Sequence, residues 1–299
     1  RYNISGVSGA GSAGYIGGGY TPFTVVTTTD KLNYVSETIS SPSSANLSQA
    51  RQGYAVLTEG TSKGYFIGGG AGAGGYAEAT TADKIIYSTD TTSSQTSANL
   101  PSARLFIFGC SGEGTKGYIA GGATTNPNGS SNIFPVNNGY KITYSTDTTA
   151  SVTTVNLSTS TDSAIGLSEN SSKGYFLGGE TGYIQYVASA YKVTFSTDTT
   201  STQTTANLSQ SRSTPAALGR ASTAGYILGG FTGNYAATAD KLTYSTDSTT
   251  ATTTANLAQG RSSLAGLDGI TTQFTNFVFT SSKLASGTIS LTTASGQNA

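Results

Sequence analysis

The sequence predicts an all-β fold assembled by repetition of one four-stranded unit, and three observations carry that reading. A Gly-Tyr pair, two further residues and Gly-Gly recur five times: GYIGGG from Gly14, GYFIGG from Gly64, GYIAGG from Gly117, GYFLGG from Gly174 and GYILGG from Gly225. The copies are spaced by 50, 53, 57 and 51 residues, which is the period of a propeller blade rather than of a helical repeat. Sheet-forming Thr, Tyr, Val and Ile prevail, Gly punctuates every unit, and helix has no claim. Together these predict a six-bladed β-propeller of four-stranded antiparallel blades. It forms a single domain over residues 1–299, with units starting near Arg1, Arg51, Arg104, Thr161, Arg212 and Arg261.

Each unit reads as four strands, a to d. Strand a is apolar, as in YAVL from Tyr54, and the Gly of the signature follows the unit's start by 13 residues in all five copies. Strand b is the signature itself, with Gly-Gly expected to supply positive backbone angles and close packing at its end. Strand c alternates, with Leu242 and Tyr244 pointing one way and Lys241 and Thr243 the other. An STDTT or STDST turn follows, in which Asp90, Asp147, Asp198 and Asp247 are expected to cap their own turns. Strand d is Thr-rich and ends in Asn-Leu. From Lys31, Lys84, Lys141, Lys192 and Lys241 to Asn46, Asn99, Asn156, Asn207 and Asn256 is 15 residues every time, and the next unit starts 5 later.

All length variation falls between Gly-Gly and the lysine of strand c, where the separation is 12, 15, 19, 13 and 11 residues in successive units. One connection tolerates insertion, as a surface loop does. A sixth, divergent unit closes the count. From Arg261, 13 residues lead to Phe274, and Lys283 and Leu284 match strand c; Lys283 plus 15 lands on Asn298, with Val278 and Phe279 expected where Gly-Gly stood.

Composition narrows the function. Fifteen basic and fifteen acidic residues balance, and only 10% of the chain is charged, so no basic surface exists to hold a phosphate backbone and nucleic acid is not an expected partner. No apolar run reaches the roughly 20 residues of a membrane helix, and no membrane insertion is expected. The chain opens at Arg1 with neither a methionine nor a signal-peptide pattern, so it is expected to be part of a longer one. A single cysteine excludes an internal disulfide.

Several residues pattern together with a known family. An arginine after a short loop (NLSQAR, Asn46 to Arg51), an apolar strand, Gly-Tyr-apolar-apolar-Gly-Gly and a Tyr strand with an Asp turn (YSTDTT, Tyr87 to Thr92) resemble kelch repeats across the whole chain. Ser and Thr replace the tryptophan usual in the fourth strand, so the chain looks like a divergent kelch-like branch of the kind found in repetitive bacteriophage virion and surface proteins. The resemblance implies a disc whose b–c and d–a loops share the ligand face. It implies a non-enzymatic virion structural or appendage protein, such as a tail fibre, spike or decoration module. Such a protein would bind host-surface glycan or neighbouring virion proteins through the variable b–c loops, at the virion surface or outside the cell. A bacterial surface or secreted adhesion module is the alternative, and a carbohydrate-active enzyme stands third. Oligomeric state is left open.

Chemistry is sparse. Histidine is absent, which removes the commonest general base and metal ligand together, and no cofactor or metal is expected. Cys110 sits where other units carry Val7, Leu57, Leu167, Leu218 and Leu267, so it reads as a core thiol. The double glycines are not a phosphate loop, because no Lys-Ser or Lys-Thr follows and no helix begins there. The repeated Lys of strand c and Arg of the d–a loop read as structural. What remains are loop residues able to stack on sugars or anchor a protein: Phe23, Tyr76, Asn126, Asn128, Phe134, Asn137, Tyr183, Tyr186, Phe231 and Tyr235. The longest loop, between Ala123 and Tyr140, is the leading candidate for contact.

Overall fold

The computed structural model describes residues 1–9, 12–72, 76–112, 114–125, 133–169, 172–182, 184–220, 223–267 and 278–279. Blade 1 contains β1 (Ser5–Gly9), β2 (Ala13–Gly17), β3 (Thr29–Asn33) and β4 (Thr38–Ser40). Blade 2 contains β5 (Ala55–Thr58), β6 (Lys63–Ile67), a small hairpin of β7 (Gly70–Ala71) and β8 (Ala77–Glu78), then β9 (Ala82–Ile86) and β10 (Thr91–Ser94). Blade 3 contains β11 (Phe108–Gly112), β12 (Lys116–Ala120), the hairpin β13 (Ala123–Thr125) and β14 (Ile133–Pro135), then β15 (Gly139–Thr143) and β16 (Thr148–Ser151). Blade 4 follows with β17 (Ile165–Ser168), β18 (Lys173–Leu177), β19 (Ala190–Thr194) and β20 (Thr199–Thr202), and blade 5 with β21 (Ala216–Arg220), β22 (Ala224–Leu228), β23 (Ala239–Thr243) and β24 (Ser248–Ala251). In all five the strands pair antiparallel in the order a-b-c-d. The protein is a β-propeller.

Five blades are four-stranded, not six. The sixth unit gives β25 (Ala265–Gly266) paired with β26 (Val278–Phe279), and the positions expected for its strands c and d, including Lys283, Leu284 and Asn298, lie outside the described residues, as does Phe274. Its register also departs from expectation. The a–b pairing joins the residue four after each unit's start to one sixteen after it, as in Ala55↔Ile67 and Ala216↔Leu228, but in the sixth unit Ala265 pairs with Phe279, eighteen after Arg261. Val278 and Phe279 therefore continue strand b rather than replace Gly-Gly, and the a–b connection has gained two residues. Position in space is nonetheless kept. The inner strands β1, β5, β11, β17, β21 and β25 pack side by side in that order, and β25 also lies against β1.

Neighbouring blades lock through one repeated fit. A strand-a aliphatic from one blade enters the space left by the signature Gly of the next: a Cβ added to Gly117 would stand 2.5 Å from the Tyr144 hydroxyl and 2.9 Å from Leu57. Leu267 of the sixth unit packs over Gly14 in the same way and joins a buried cluster with Ile4, Ile16, Leu32 and Tyr34. Beside this contact the signature tyrosine stacks on the strand-c aromatic of the next blade. The pairs are Tyr15–Tyr87, Tyr65–Tyr144, Tyr118–Phe195 and Tyr175–Tyr244, with ring centroids 5.4–5.9 Å apart and planes within 13°. Each such pair contributes about 0.5–1.5 kcal/mol beyond the area it buries.

The Gly-Gly pairs do take positive φ, for example 70° at Gly178 and 104° at Gly179. A Cβ on Gly178 would stand 2.6 Å from the Arg212 carbonyl. The expectation of no helix needs amendment, because a 3-10 turn follows strand d in each blade: Ser43–Ala45, Thr96–Ala98, Thr153–Val155, Thr204–Ala206 and Thr253–Ala255. The Asn of Asn-Leu explains its strict spacing. Its Oδ1 accepts the N–H that opens strand c, from Thr29, Ala82, Gly139, Ala190 and Ala239, at 2.7–3.0 Å.

At the mouth of the central channel, the residue two after each unit's start lies in the left-handed region: Asn3, Gly53, Phe106, Ser163, Thr214 and Ser263, with φ between 48° and 56°. Backbone hydrogen bonds run from unit to unit around this circle. Gly53 N–H donates to the Asn3 carbonyl, Ile107 to Gly53, Ser163 to Phe106, Thr214 to Ser163 and Ser263 to Thr214, at 2.8–3.3 Å.

Candidate functional site: the loop face of the ring

Strands a and c run away from one face of the ring and b and d return to it, so the b–c and d–a loops meet on that face, as expected. Buried arginines hold the loops from below. Arg51 donates to the carbonyls of Gly68 and Thr81 and pairs with Asp83 at 3.0 Å, both side chains being fully buried. Arg212 repeats this with Gly229, Thr238 and Asp240 at 3.2 Å, and Arg1 with Gly18, Thr28 and Asp30. The unit-start arginine is therefore a loop fastener, as the sequence suggested. Blades 3 and 4 differ: Tyr140 and Tyr191 stand in place of the aspartate, Arg104 turns to Asn138 Oδ1 at 3.1 Å, and blade 4 has Thr161 instead of arginine.

Above this layer, each blade presents a row of three residues joined by antiparallel bridges. The first lies one after the unit's start, the second directly after Gly-Gly, and the third on the returning limb of the loop. The rows are Tyr2–Tyr20–Val25, Gln52–Gly70–Glu78, Leu105–Ala123–Pro135, Asp162–Glu180–Tyr186 and Ser213–Phe231–Tyr235. Opposed residues of such bridges direct their side chains to the same side, so each row lies on one surface of its loop. No two rows agree. Reading the sequence missed the first position of every row and, Phe231 excepted, the second; the signal was there, since the position after the start differs among the five blades within a stretch of fixed length.

The expected contact residues divide. Phe23 is 88% exposed, Tyr235 67%, and Tyr76 and Phe134 about half. Tyr186, Phe231 and Tyr235 come together at the junction of blades 4 and 5, with Phe231 edge-on to Tyr186 at 5.6 Å and to Tyr235 at 5.5 Å. Asn137 is a different matter. Its amide donates to the Leu157 carbonyl at 3.1 Å, so it fastens the fold. Asn126, Asn128 and Tyr183 lie outside the described residues, and so does most of the tip of the longest loop.

Charge concentrates in the row of blade 4. Asp162 is 5% exposed, and burial pushes its carboxyl up to about 7, with Glu180 adding to the rise against a Ser163 hydrogen bond. Glu180 is likewise raised, by burial, although the Ser213 hydroxyl donates to it. Among the described residues no basic side chain is shown pairing with either acid, and no group of three or more His, Cys, Asp or Glu is placed to hold a metal ion.

The opposite face carries the repeated aspartates, and these do not cap their own turns. Each sits in the left-handed region and turns its carboxylate to the preceding blade. Asp198 accepts from Lys116 at 2.7 Å, Lys141 at 2.6 Å and Tyr118 at 2.5 Å; Asp147 takes Lys63, Lys84 and Tyr65, and Asp247 takes Lys173, Lys192 and Tyr175. Among the described residues Asp90 has only Lys31 and Tyr15, because Ala13 stands where blades 2, 3 and 4 have Lys63, Lys116 and Lys173. Burial raises these carboxyls, but the lysines and tyrosine more than reverse it and hold Asp147 and Asp247 at about 2. These four aspartates and the lysines of strands b and c in blades 1 to 4 thereby serve as clamps between blades.

Cys110 is buried, and desolvation pushes its thiol well above the ordinary range, so little thiolate forms. Its sulfur faces Gly174 as Leu57 faces Gly117. The channel between the inner strands encloses 140 Å³ lined by glycine, aliphatic and hydroxyl side chains, below the ~300 Å³ typical of small-molecule sites. No helix among the described residues is long and apolar enough to cross a membrane.

Fold and loop face define a class: a β-propeller of antiparallel four-stranded blades with an unrepeated loop surface. No family model matches the chain and no curated protein matches it.

Proposed function

We propose that this chain is a non-enzymatic recognition propeller of kelch-like, six-unit design. It would serve as a virion structural or appendage module that presents its loop face to a host-surface glycan or a neighbouring virion protein. The observation that carries the reading is the contrast between a framework whose clamps between blades recur around the ring and a loop face whose five rows all differ while displaying Phe23, Tyr76, Phe134 and Tyr235. Rings held on a rigid scaffold bind with little loss of conformational freedom. The kelch resemblance supports the six-unit count, as does the closure of the inner strands by β25.

A glycan array combined with host-cell binding tests the reading. Binding to defined glycans or cells, reduced by substitutions on the loop face and not by substitutions on the clamp face, is the expected result. Absence of binding in both assays leaves a scaffold without a recognition role. The juxtaposition of Asp162 and Glu180 favours one competitor, glycoside hydrolysis, which uses two carboxyl groups set roughly 5–10 Å apart. Chromogenic glycosides incubated with the protein are expected to remain intact, and turnover abolished by Glu180→Gln would replace the recognition reading with an enzymatic one.

A further inference from the structure

Blade 5 repeats the donor half of the clamp that joins the other blades, and we infer that it forms a socket for an acidic hairpin turn presented by a different protein. The turn it fits has an Asp followed two residues later by Ser or Thr. This concerns the clamp face and stands apart from the loop-face reading. At the joint of blades 1 and 2, Asp90 accepts from the Tyr15 hydroxyl at 2.5 Å and from Lys31 Nζ at 2.7 Å, while the Ser44 hydroxyl donates to the Asp90 carbonyl at 2.8 Å. Thr92, two residues on, donates to the Ala45 carbonyl at 2.8 Å. Blade 5 carries the same set at the same repeat positions: Tyr226, Lys241, Thr254 and the Ala255 carbonyl, with Ala224 matching Ala13. Tyr226 lies opposite Lys241 in the sheet as Tyr15 lies opposite Lys31, and Thr253–Ala255 forms the same 3-10 turn as Ser43–Ala45.

The sixth unit brings no carboxylate to these donors. In blades 2 to 5 the clamp aspartate stands six residues after the strand-c lysine, but six after Lys283 is Ile289, and no Asp or Glu follows Asp268. Asp268 adjoins Leu267, which packs on the other side, over Gly14 of blade 1. The flank of blade 5 is also open. Thr254 is exposed, and Tyr226, Ala255 and Leu257 are half-buried although their counterparts in the other four blades are buried. Among the described residues, neither Lys241 nor the Tyr226 ring meets a partner of the kind the other blades supply. Charge and turn shape decide the occupant. A lysine beside a tyrosine hydroxyl takes a carboxylate through two charge-assisted hydrogen bonds, and the Thr254 hydroxyl and Ala255 carbonyl fix the turn that bears it. The clamp aspartates of a second copy are engaged within their own ring. Its Glu37 shares their left-handed conformation, with φ 56°, but Ile39 stands two residues on and has no hydroxyl to give the Ala255 carbonyl. A protein of another kind is therefore the better fit.

Titration of the full chain with a cyclised hairpin peptide copying residues 82–95, which contains Asp90 and Thr92, tests the assignment against the same peptide carrying Asp90→Asn. The expected result is saturable binding of the first peptide, weakened about tenfold or more by Asp90→Asn in the peptide and by Lys241→Ala or Tyr226→Phe in the protein. Tyr235→Ala on the loop face should leave it unchanged. Equal binding of the two peptides, or binding indifferent to Lys241→Ala, overturns the socket. Melting temperatures distinguish a socket from a clamp already closed within the chain: Lys192→Ala is expected to melt lower than wild type and Lys241→Ala to match it. Equal losses in the two variants overturn the inference, since Lys241 would then already hold a contact of its own. Sedimentation tests the second copy: a dimer abolished by Glu37→Gln would give the socket to this same chain and overturn the choice of a different protein. Failure of the peptide to bind wild type removes the socket and leaves the loop-face reading untouched.

Discussion

The two faces of the ring obey opposite rules. On the clamp face, Asp147, Asp198 and Asp247 each take two lysines and a tyrosine from the preceding blade, with the same atoms and nearly the same distances. On the loop face, the five rows share backbone pairing and nothing else. Repetition of a contact shows that assembly needs it at every joint, whereas one backbone site with five different side-chain sets is not constrained by assembly. The difference separates residues that build the ring from residues free to serve a partner.

Four experiments would break or sharpen this contrast. The largest effect is expected beneath the loop face, where Asp83→Ala strands the fully buried Arg51 guanidinium. Urea denaturation should show a loss of about 3–5 kcal/mol, and a loss under 1 kcal/mol would mean that the arginines do not anchor the loops. Next, Asp147→Asn, Asp198→Asn and Asp247→Asn should each cost about 1–3 kcal/mol, and nearly equally, while Asp90→Asn with its smaller partner set should cost less. Widely unequal costs among the first three would undo the claim that the clamp face is uniform.

Acid provides the third test. The carboxyls of Asp147 and Asp247 titrate at about 2 in the fold, below the ~3.9 of an unfolded aspartate. Their stabilisation is therefore complete above about pH 4 and is lost as the pH falls toward 2. Melting temperatures recorded over that window should drop for wild type and drop less for the Asp147→Asn, Asp247→Asn double variant. Asp162 gives the smallest effect and the opposite sign. Its carboxyl, raised to about 7, binds a proton more tightly folded than unfolded, so stability is lost as pH rises from about 4 through 7. Asp162→Asn should melt a few degrees higher than wild type at pH 8 and nearly match it at pH 4. A lower melting temperature at pH 8 would make Asp162 a framework residue.

Much of the framework was legible because assembly imposes fixed spacings. The 15 residues from Lys84 to Asn99 span a strand, a turn and a strand that end where the Asn99 side chain must reach the Ala82 N–H. Insertion beyond Gly69 and Gly122 announced loops, and the structure turns both into extra hairpins. What spacing could not convey was contact between blades. Asp147 looks like a turn cap until Lys63 and Tyr65, 84 and 82 residues away along the chain, are brought to meet it. The candidate site was half legible for the same reason: exposed aromatics such as Phe23 and Tyr235 stand out by type and loop position, but Asp162 and Glu180 acquire meaning only once the ring sets them beside Ser213. The sixth unit failed differently, since two residues added between its first strands put Val278 and Phe279 in strand b, where Gly-Gly had been counted.

The left-handed residues at the channel mouth form a hoop of nearly fixed reach, because five short backbone links join its six units in succession. Such a hoop sets the angle subtended by every unit and hence how many can close the circle. A duplicated or deleted unit would have to bend every link at the centre, however well its outer strands paired, while an insertion on the loop face leaves the hoop untouched. Change in a lineage of such chains is therefore channelled toward longer or altered loops and away from altered blade number.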